Sequence, residues 1–400
     1  MTSEKQTRMP LSTRVLKLLR RDTGSAPYFA EIDSLRFVAI AMVVIFHLVP
    51  TWGPSYAQEL LRDSSAPYSH LNRGVQLFFV ISGFILVIPF ARHSMLGGKA
   101  VGIKKYFLRR LTRLEPPYIL SLLLCSLGMI IFHQWTHDMI VHLLTAMFYV
   151  HTLVLASKTA INPVAWSLEI EIQFYILVPL LACIFELRNP VVRRAAIVLP
   201  MILLITLSGL FDTYRIYHSI LGQGQYFLGG FLLADFYLTR TERRSWIWDV
   251  VGTVAFVLML TGKQFVWHWF LPFGVLLFFW SALSGTILNY LFRNPWTSAI
   301  GGMCYSIYLT HVQLMTFTRV VLAKRFKIDS PLAVNAASLF MIAVFSTAYF
   351  LLIEKPCMRH DWPQALWKRL HEFSIPGKKQ TDRRENALQE KELSEPEQVS

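Results

Sequence analysis

Apolar residues run along this chain in long unbroken blocks, not in the alternation of a half-buried strand or the single stripe of a soluble amphipathic helix. About 20 apolar residues in a helix cross the hydrocarbon core of a bilayer. By that measure ten blocks qualify, at about 35–52, 74–91, 116–133, 165–187, 195–212, 219–238, 248–262, 267–291, 300–323 and 332–353. The pattern predicts an all-α, polytopic integral membrane protein with about ten transmembrane helices. An eleventh stretch, 139–156, is apolar but carries His142 and His151, and could span, re-enter or lie at the interface.

Charge decides how these blocks are threaded. With ten spans and the N-terminus inside, 29 of the 39 Lys and Arg fall in cytoplasmic stretches, 8 fall in outer loops, and Arg36 and Arg319 lie within spans. That asymmetry obeys the positive-inside rule. The loop with Lys324, Arg325 and Lys327 disagrees. Letting 139–156 span would place the Arg193–Arg194 and Arg243–Arg244 loops outside, so both termini are expected in the cytoplasm.

Composition agrees. Of 400 residues 54% are apolar and only 16% charged, against about 25% charged in a soluble domain. A soluble globule of this make-up would expose large apolar patches. The net charge of +14 reads first as topology and second as an anionic ligand, and does not point to nucleic acid. Cys125, Cys183, Cys304 and Cys357 are widely spaced, so they read as apolar packers with neither disulfides nor a metal site.

Residues 1–30 form a basic segment without a cleavable signal. Within it Leu11–Arg21 reads either as an amphipathic helix on the anionic inner leaflet or as a basic tail. Residues 358–400 form a polar tail, expected to be disordered from about 377. No Gly-rich nucleotide loop or internal repeat is visible, so chemistry is expected within the membrane region, 31–357.

Ionisable groups at membrane depth are costly and mark candidate sites. Asp33-Ser34-Leu35-Arg36 is followed by ten apolar residues and then His47. Eleven residues make three turns and about 16.5 Å of helix, so Arg36 and His47 share a face. An arginine at the membrane edge suits a phosphate, and a histidine can exchange a proton near neutral pH. A snorkelling arginine and a histidine bonded inside the bundle would fit the same pattern. Ser82 and Gly83 in the second block allow close helix approach, with Ser82 also a site candidate. Arg109, Arg110 and Arg113 lie at i, i+1 and i+4, so Arg109 and Arg113 share a face at the start of the third block, and the group reads as an anion cradle, a topology signal, or both. In the fourth, Ser167, Glu171 and Tyr175 lie on one face and Glu169 and Gln173 on the opposite side. A carboxylate near His47 could orient it as the third member of a triad does. A pair of helix N-terminal acids would explain Glu169 better than Glu171. His311 lies at a depth similar to His47, as a second acid–base candidate or a structural one. Glu354-Lys355-Pro356 reads as a helix stop with a local ion pair.

Taken in order, four blocks resemble the membrane acyltransferase-3 family, whose members O-acylate carbohydrates and other cell-envelope molecules. They are Asp33-Ser34-Leu35-Arg36 through His47 (the family's Arg-x10-His signature), Gly74-Val75-Gln76-Leu77-Phe78-Phe79 through Phe84, Arg109-Arg110-Leu111-Thr112-Arg113 through Tyr118, and Trp166-Ser167-Leu168 through Glu171 and Tyr175. Tyr305-Ser306-Ile307-Tyr308-Leu309 with His311, and Glu354-Lys355-Pro356, match its distal end. Ser34 and Phe37 stand where the family usually has glycine, and Gln76 where an acid is common. The extra hydrolase-like C-terminal domain of larger members is not expected here.

The resemblance implies a bacterial inner-membrane enzyme of polysaccharide O-acetylation, with cytoplasmic acyl-CoA, acetyl-CoA first, as donor and no metal. Its acceptor would be an envelope carbohydrate hydroxyl reached from outside, with membrane lipids as surroundings. Arg36, Arg109, Arg110 and Arg113 would hold the nucleotide phosphates. His47, oriented by Glu171 or another carboxylate, would act as base or be transiently acylated. The competing class is a transporter using intramembrane His and Glu as a relay; a third is an inactive scaffold.

Overall fold

Helix starts follow from the sequence. Asn189 accepts from Val191 N and Val192 N ahead of Pro190, and Asn294 does the same for Trp296 N and Thr297 N ahead of Pro295. Each is a polar N-cap followed by proline in the one helical position where its missing N–H costs nothing. The computed structural model describes residues 10–22, 28–49, 67–157, 159–211, 213–241, 244–262, 264–328, 330–359 and 362. The tail expected to be disordered from 377 lies outside these residues, as do Arg243 and the first nine positions.

A short helix α1 (Leu11–Leu19) precedes α2 (Ala30–Leu48), and a 3-10 turn at Pro67–Arg73 leads into α3 (Gly74–Leu96). The chain continues through α4 (Ile103–Ile131), the short α5 (Met139–Met147) and α6 (His151–Leu155), α7 (Ala165–Leu181) and α8 (Pro190–Leu210). After a single turn α9 (Tyr214–Tyr217) come α10 (Ile220–Thr239), α11 (Trp246–Thr261) and α12 (Gln264–Ser284). Two short helices, α13 (Ile287–Phe292) and α14 (Pro295–Gly302), lead to α15 (Cys304–Val321) and α16 (Pro331–Tyr349). The last runs through a wider π turn, Phe350–Glu354, into the final turn α17 (Lys355–Cys357).

Each of the ten expected blocks carries a helix. Among the described residues, five segments can cross a membrane by length and composition: His70–Leu96, Ile103–Ile131, Ala165–Glu186, Pro190–Leu210 and Pro331–Cys357. Trp246–Thr261 and His268–Ser284 are shorter apolar helices. There is no strand among the described residues. Leu123, Leu124, Leu127, Ile130 and Ile131 of α4, and Leu339, Phe340, Val344 and Phe345 of α16, are exposed. A surface so rich in large apolar side chains is stable against hydrocarbon and not against water. The protein is an all-α polytopic membrane protein.

The stretch 139–156 does not form one helix. It breaks between α5 and α6, where Tyr149 has φ 56°, and ends at Ala156 with φ 50°. Neither piece, at 9 and 5 residues, approaches the length of a span.

The bundle closes around α10, which is buried without interruption from Gly222 to Asp235. That explains a helix with Gln223, Gln225 and four glycines: it faces other helices, not lipid. A Cβ on Gly83 would collide with the Phe227 backbone, and one on Gly230 with the backbone of Val80 and Phe84. The two helices therefore cross backbone to backbone, as small residues permit in membranes. Phe79, Phe174 and Phe227 stack beside this crossing at 4.7 and 4.1 Å between ring centroids. Asp235 is fully buried between Arg193 and Arg194, its Oδ2 lying 2.7 Å from Arg194 Nε.

Candidate active site

One end of the bundle is organised by Asp33. Fully buried, it accepts from Arg21 Nε at 2.9 Å and from Arg36 Nη1 at 2.7 Å, a turn along α2. The pairing fixes Arg36 so that its remaining donors face a cavity of about 110 Å³. Arg110 and Arg113 of α4 enter the same cavity. Arg110 lies over the rings of Tyr106 and Tyr175, at 5.9 and 5.8 Å, a cation–π support that leaves guanidinium edges available. Arg113 Nε is buried without a partner among the described residues.

Arg109 departs from expectation. It is exposed and not among the lining residues, because the cavity side of α4 runs through Arg110, Arg113 and Leu114. One residue is 100° of helix, enough to turn Arg109 away.

Glu171 accepts from Ser82 Oγ at 2.7 Å and from Tyr175 OH at 2.6 Å, all three lining the cavity with Ser167. The expected common face of Ser167, Glu171 and Tyr175 is present. The expected pairing of Glu171 with His47 is not: among the described residues His47 bonds to Val43 and His311. Glu169, on the other side of α7, is buried and accepts from Thr152 N at 2.9 Å and Leu153 N at 3.3 Å. It caps α6 from a distance, a structural role.

Two histidines lie outside the cavity lining, next to Tyr308. His47 Nδ1 is 2.9 Å from the Val43 carbonyl, and His311 Nδ1 is 3.0 and 2.8 Å from the carbonyls of Ile307 and Tyr308. A carbonyl only accepts, so both rings carry their hydrogen on Nδ1. His311 Nε2 is then a lone pair, 3.3 Å from the His47 Nδ1–H. The unprotonated nitrogen of His47 is Nε2, the state a general base requires. Tyr308 links this pair to the cavity: it lines the cavity, bonds Ser167 Oγ at 2.6 Å, and its ring centroid lies 5.9 Å from that of His311.

Glu354 was read in the sequence as a helix stop paired with Lys355. It is instead a cavity residue, 1% exposed, accepting from Ser306 N at 3.0 Å and Ser306 Oγ at 2.5 Å, while Lys355 Nζ donates to the Leu18 carbonyl. The π turn before it rotates Glu354 inward, a local geometry that helical spacing does not reveal. Sequence pattern does not single out Asp33 or Tyr308, although they stand inside the motifs Asp33-Ser34-Leu35-Arg36 and Tyr305-Ser306-Ile307-Tyr308-Leu309.

An acyltransferase-domain family matches residues 29–353. The O-acetyltransferase OatA of Staphylococcus aureus (strain NCTC 8325 / PS 47) is 25% identical over 371 residues, covering 83% of this chain and 57% of its own length. OatA of S. aureus strain COL matches to the same extent. This chain thus spans a little over half the length of these relatives. No solved structure matches it. With the arginine cavity, the Arg-x10-His pair of α2 and a match covering residues 29–353, the chain belongs to the membrane acyltransferase-3 family.

Proposed function

We propose that this protein is an inner-membrane O-acyltransferase that moves an acyl group, acetyl first, from cytoplasmic acyl-CoA to a hydroxyl of an envelope carbohydrate. The N-terminus and the Asp33 end of the bundle face the cytoplasm in this reading, in line with the positive-inside asymmetry. One observation carries it: Arg36, Arg110 and Arg113 line one cavity together with Tyr308, whose ring lies 5.9 Å from that of His311, the partner of His47.

Arg36, Arg110 and Arg113 would bind the nucleotide phosphates, since guanidinium forks match phosphate oxygens. The pantetheine arm would extend along α2 toward His47. There His47 Nε2 takes the acceptor's hydroxyl proton as the oxygen attacks the thioester carbonyl. Collapse of the tetrahedral adduct breaks the C–S bond, and the CoA thiolate takes the proton back from His47. Val43 and His311 hold the ring throughout, and the imidazolium that forms can share its Nδ1–H with His311. Glu171 anchors Ser82 and Tyr175 in the wall of the donor cavity and offsets the arginines' charge.

The test uses purified protein, radiolabelled acetyl-CoA and an envelope extract. Label transfer by the wild type and none by His47→Ala supports the reading. Transfer that survives His47→Ala removes His47 from the reaction, and solute uptake by proteoliposomes without acyl transfer would favour a transporter.

A further inference from the structure

The basic N-terminal segment folds as α1 and is docked. Lys355 Nζ donates to the Leu18 carbonyl, and Arg21, just past the helix, reaches buried Asp33. Leu11 and Leu18, seven residues apart and so on one face, are 77% and 54% exposed. Thr13, Lys17 and Arg20 follow one another on a different face, which walls a second cavity of about 420 Å³. Arg293 and Ser298, at the start of α14, contribute the other wall. Arg20 is held over the Tyr28 ring at 3.8 Å, and Tyr28 OH is in turn bonded to Ser298 Oγ. Three cations thus converge on this cavity. Glu31 lies 3.7 Å from Arg293 Nε and answers that charge.

We propose that this cavity binds the phosphate of an anionic glycerophospholipid, held by Lys17, Arg20 and Arg293, with Leu16 of the cavity wall beside its acyl chains. Charge complementarity selects an anion. Leu16 lines the cavity beside these cations and offers an acyl chain an apolar contact that a soluble phosphate would not use. The site is separate from the donor cavity and does not depend on the reaction proposed above. Arg21, next to Arg20, bonds the Asp33 that holds Arg36, so lipid occupancy would also steady the support of Arg36.

The experiment is native mass spectrometry of the full chain in neutral detergent, titrated with phosphatidylglycerol or phosphatidylcholine. Phosphatidylglycerol should saturate one site at about tenfold lower concentration than phosphatidylcholine, as expected for charge-assisted contacts. The triple variant Lys17→Gln, Arg20→Gln, Arg293→Gln should lose that preference. A variant of equal charge loss elsewhere, Lys99→Gln, Lys104→Gln, Lys105→Gln, should keep it. Should the first triple variant fail to fold, Arg20→Gln alone is expected to weaken phosphatidylglycerol binding severalfold. Three results overturn the proposal: equal retention of both lipids, equal loss in the control variant, or displacement of the lipid by millimolar inorganic phosphate that then occupies the same site.

Discussion

His311 Nε2 faces the Nδ1–H of His47 across 3.3 Å, and this contact defines which nitrogen of His47 is basic. His311 is itself fully buried and pinned by two carbonyls of its own helix. In the reaction proposed above it acts through His47, as a positioning residue. Removing His47 should cost on the order of 10²–10⁴ in kcat, the usual contribution of a placed acid–base group. His311→Asn removes one hydrogen bond to a group that becomes charged, about 1.5–3 kcal/mol, or roughly tenfold to a hundredfold in kcat. It should leave KM for acetyl-CoA unchanged and alter the pH profile of kcat. Steady-state kinetics across pH separates this from a packing defect, which would lower the amount of active enzyme without moving the profile.

Glu171 gives the complementary expectation. It holds Ser82 and Tyr175, so Glu171→Gln should reduce thermal stability and donor affinity. It should leave the pH dependence of kcat in place, because no bond joins it to His47 among the described residues. A moved pH profile in this variant would restore Glu171 as the group orienting His47.

The three arginines of α4 can be told apart by kinetics. Arg110→Ala and Arg113→Ala each remove a charged donor from the cavity, and each should raise KM for acetyl-CoA on the order of tenfold or more, from about 1.5–3 kcal/mol per charged hydrogen bond. Arg109→Ala should leave KM within twofold, roughly the ±0.5 kcal/mol of a neutral surface change. Equal effects at all three positions would mean that the basic run acts through its general field.

Much of this was legible in the chain. The ten blocks, the shared face of Ser167, Glu171 and Tyr175, and the close approach at Gly83 all follow from helical spacing and residue size. What spacing could not give is partner choice across helices. That α2 and α15 bring His47 to His311, while α7 turns Glu171 toward Ser82 of α3, is decided by crossings such as the one at Gly83 and Gly230. Glu354 was hidden by a π turn, and Arg109 by a single residue of helical phase.

The structural acids should show themselves in stability. Asp235 is fully buried between Arg193 and Arg194, so Asp235→Asn leaves two guanidinium groups without their anion, a loss of about 3–5 kcal/mol for a broken buried pair. A large fall in melting temperature in detergent is expected for this change, far from the proposed chemistry. Loss of activity here without loss of stability would assign Asp235 a role beyond packing.

Glu169 should act more locally. It supplies the acceptors for Thr152 N and Leu153 N, the first free donors of a helix only 5 residues long. A helix that short has too few internal bonds to sustain itself. Glu169→Ala removes the cap and also leaves the buried N–H groups unpaired, about 1–3 kcal/mol for each that water cannot reach. Hydrogen exchange should therefore accelerate across residues 150–155 and stay unchanged in α10, whose burial does not depend on this contact. Glu169→Gln keeps one carbonyl acceptor and should fall between the two. If α10 exchanges faster as well, Glu169 supports the bundle as a whole and not the α6 turn alone.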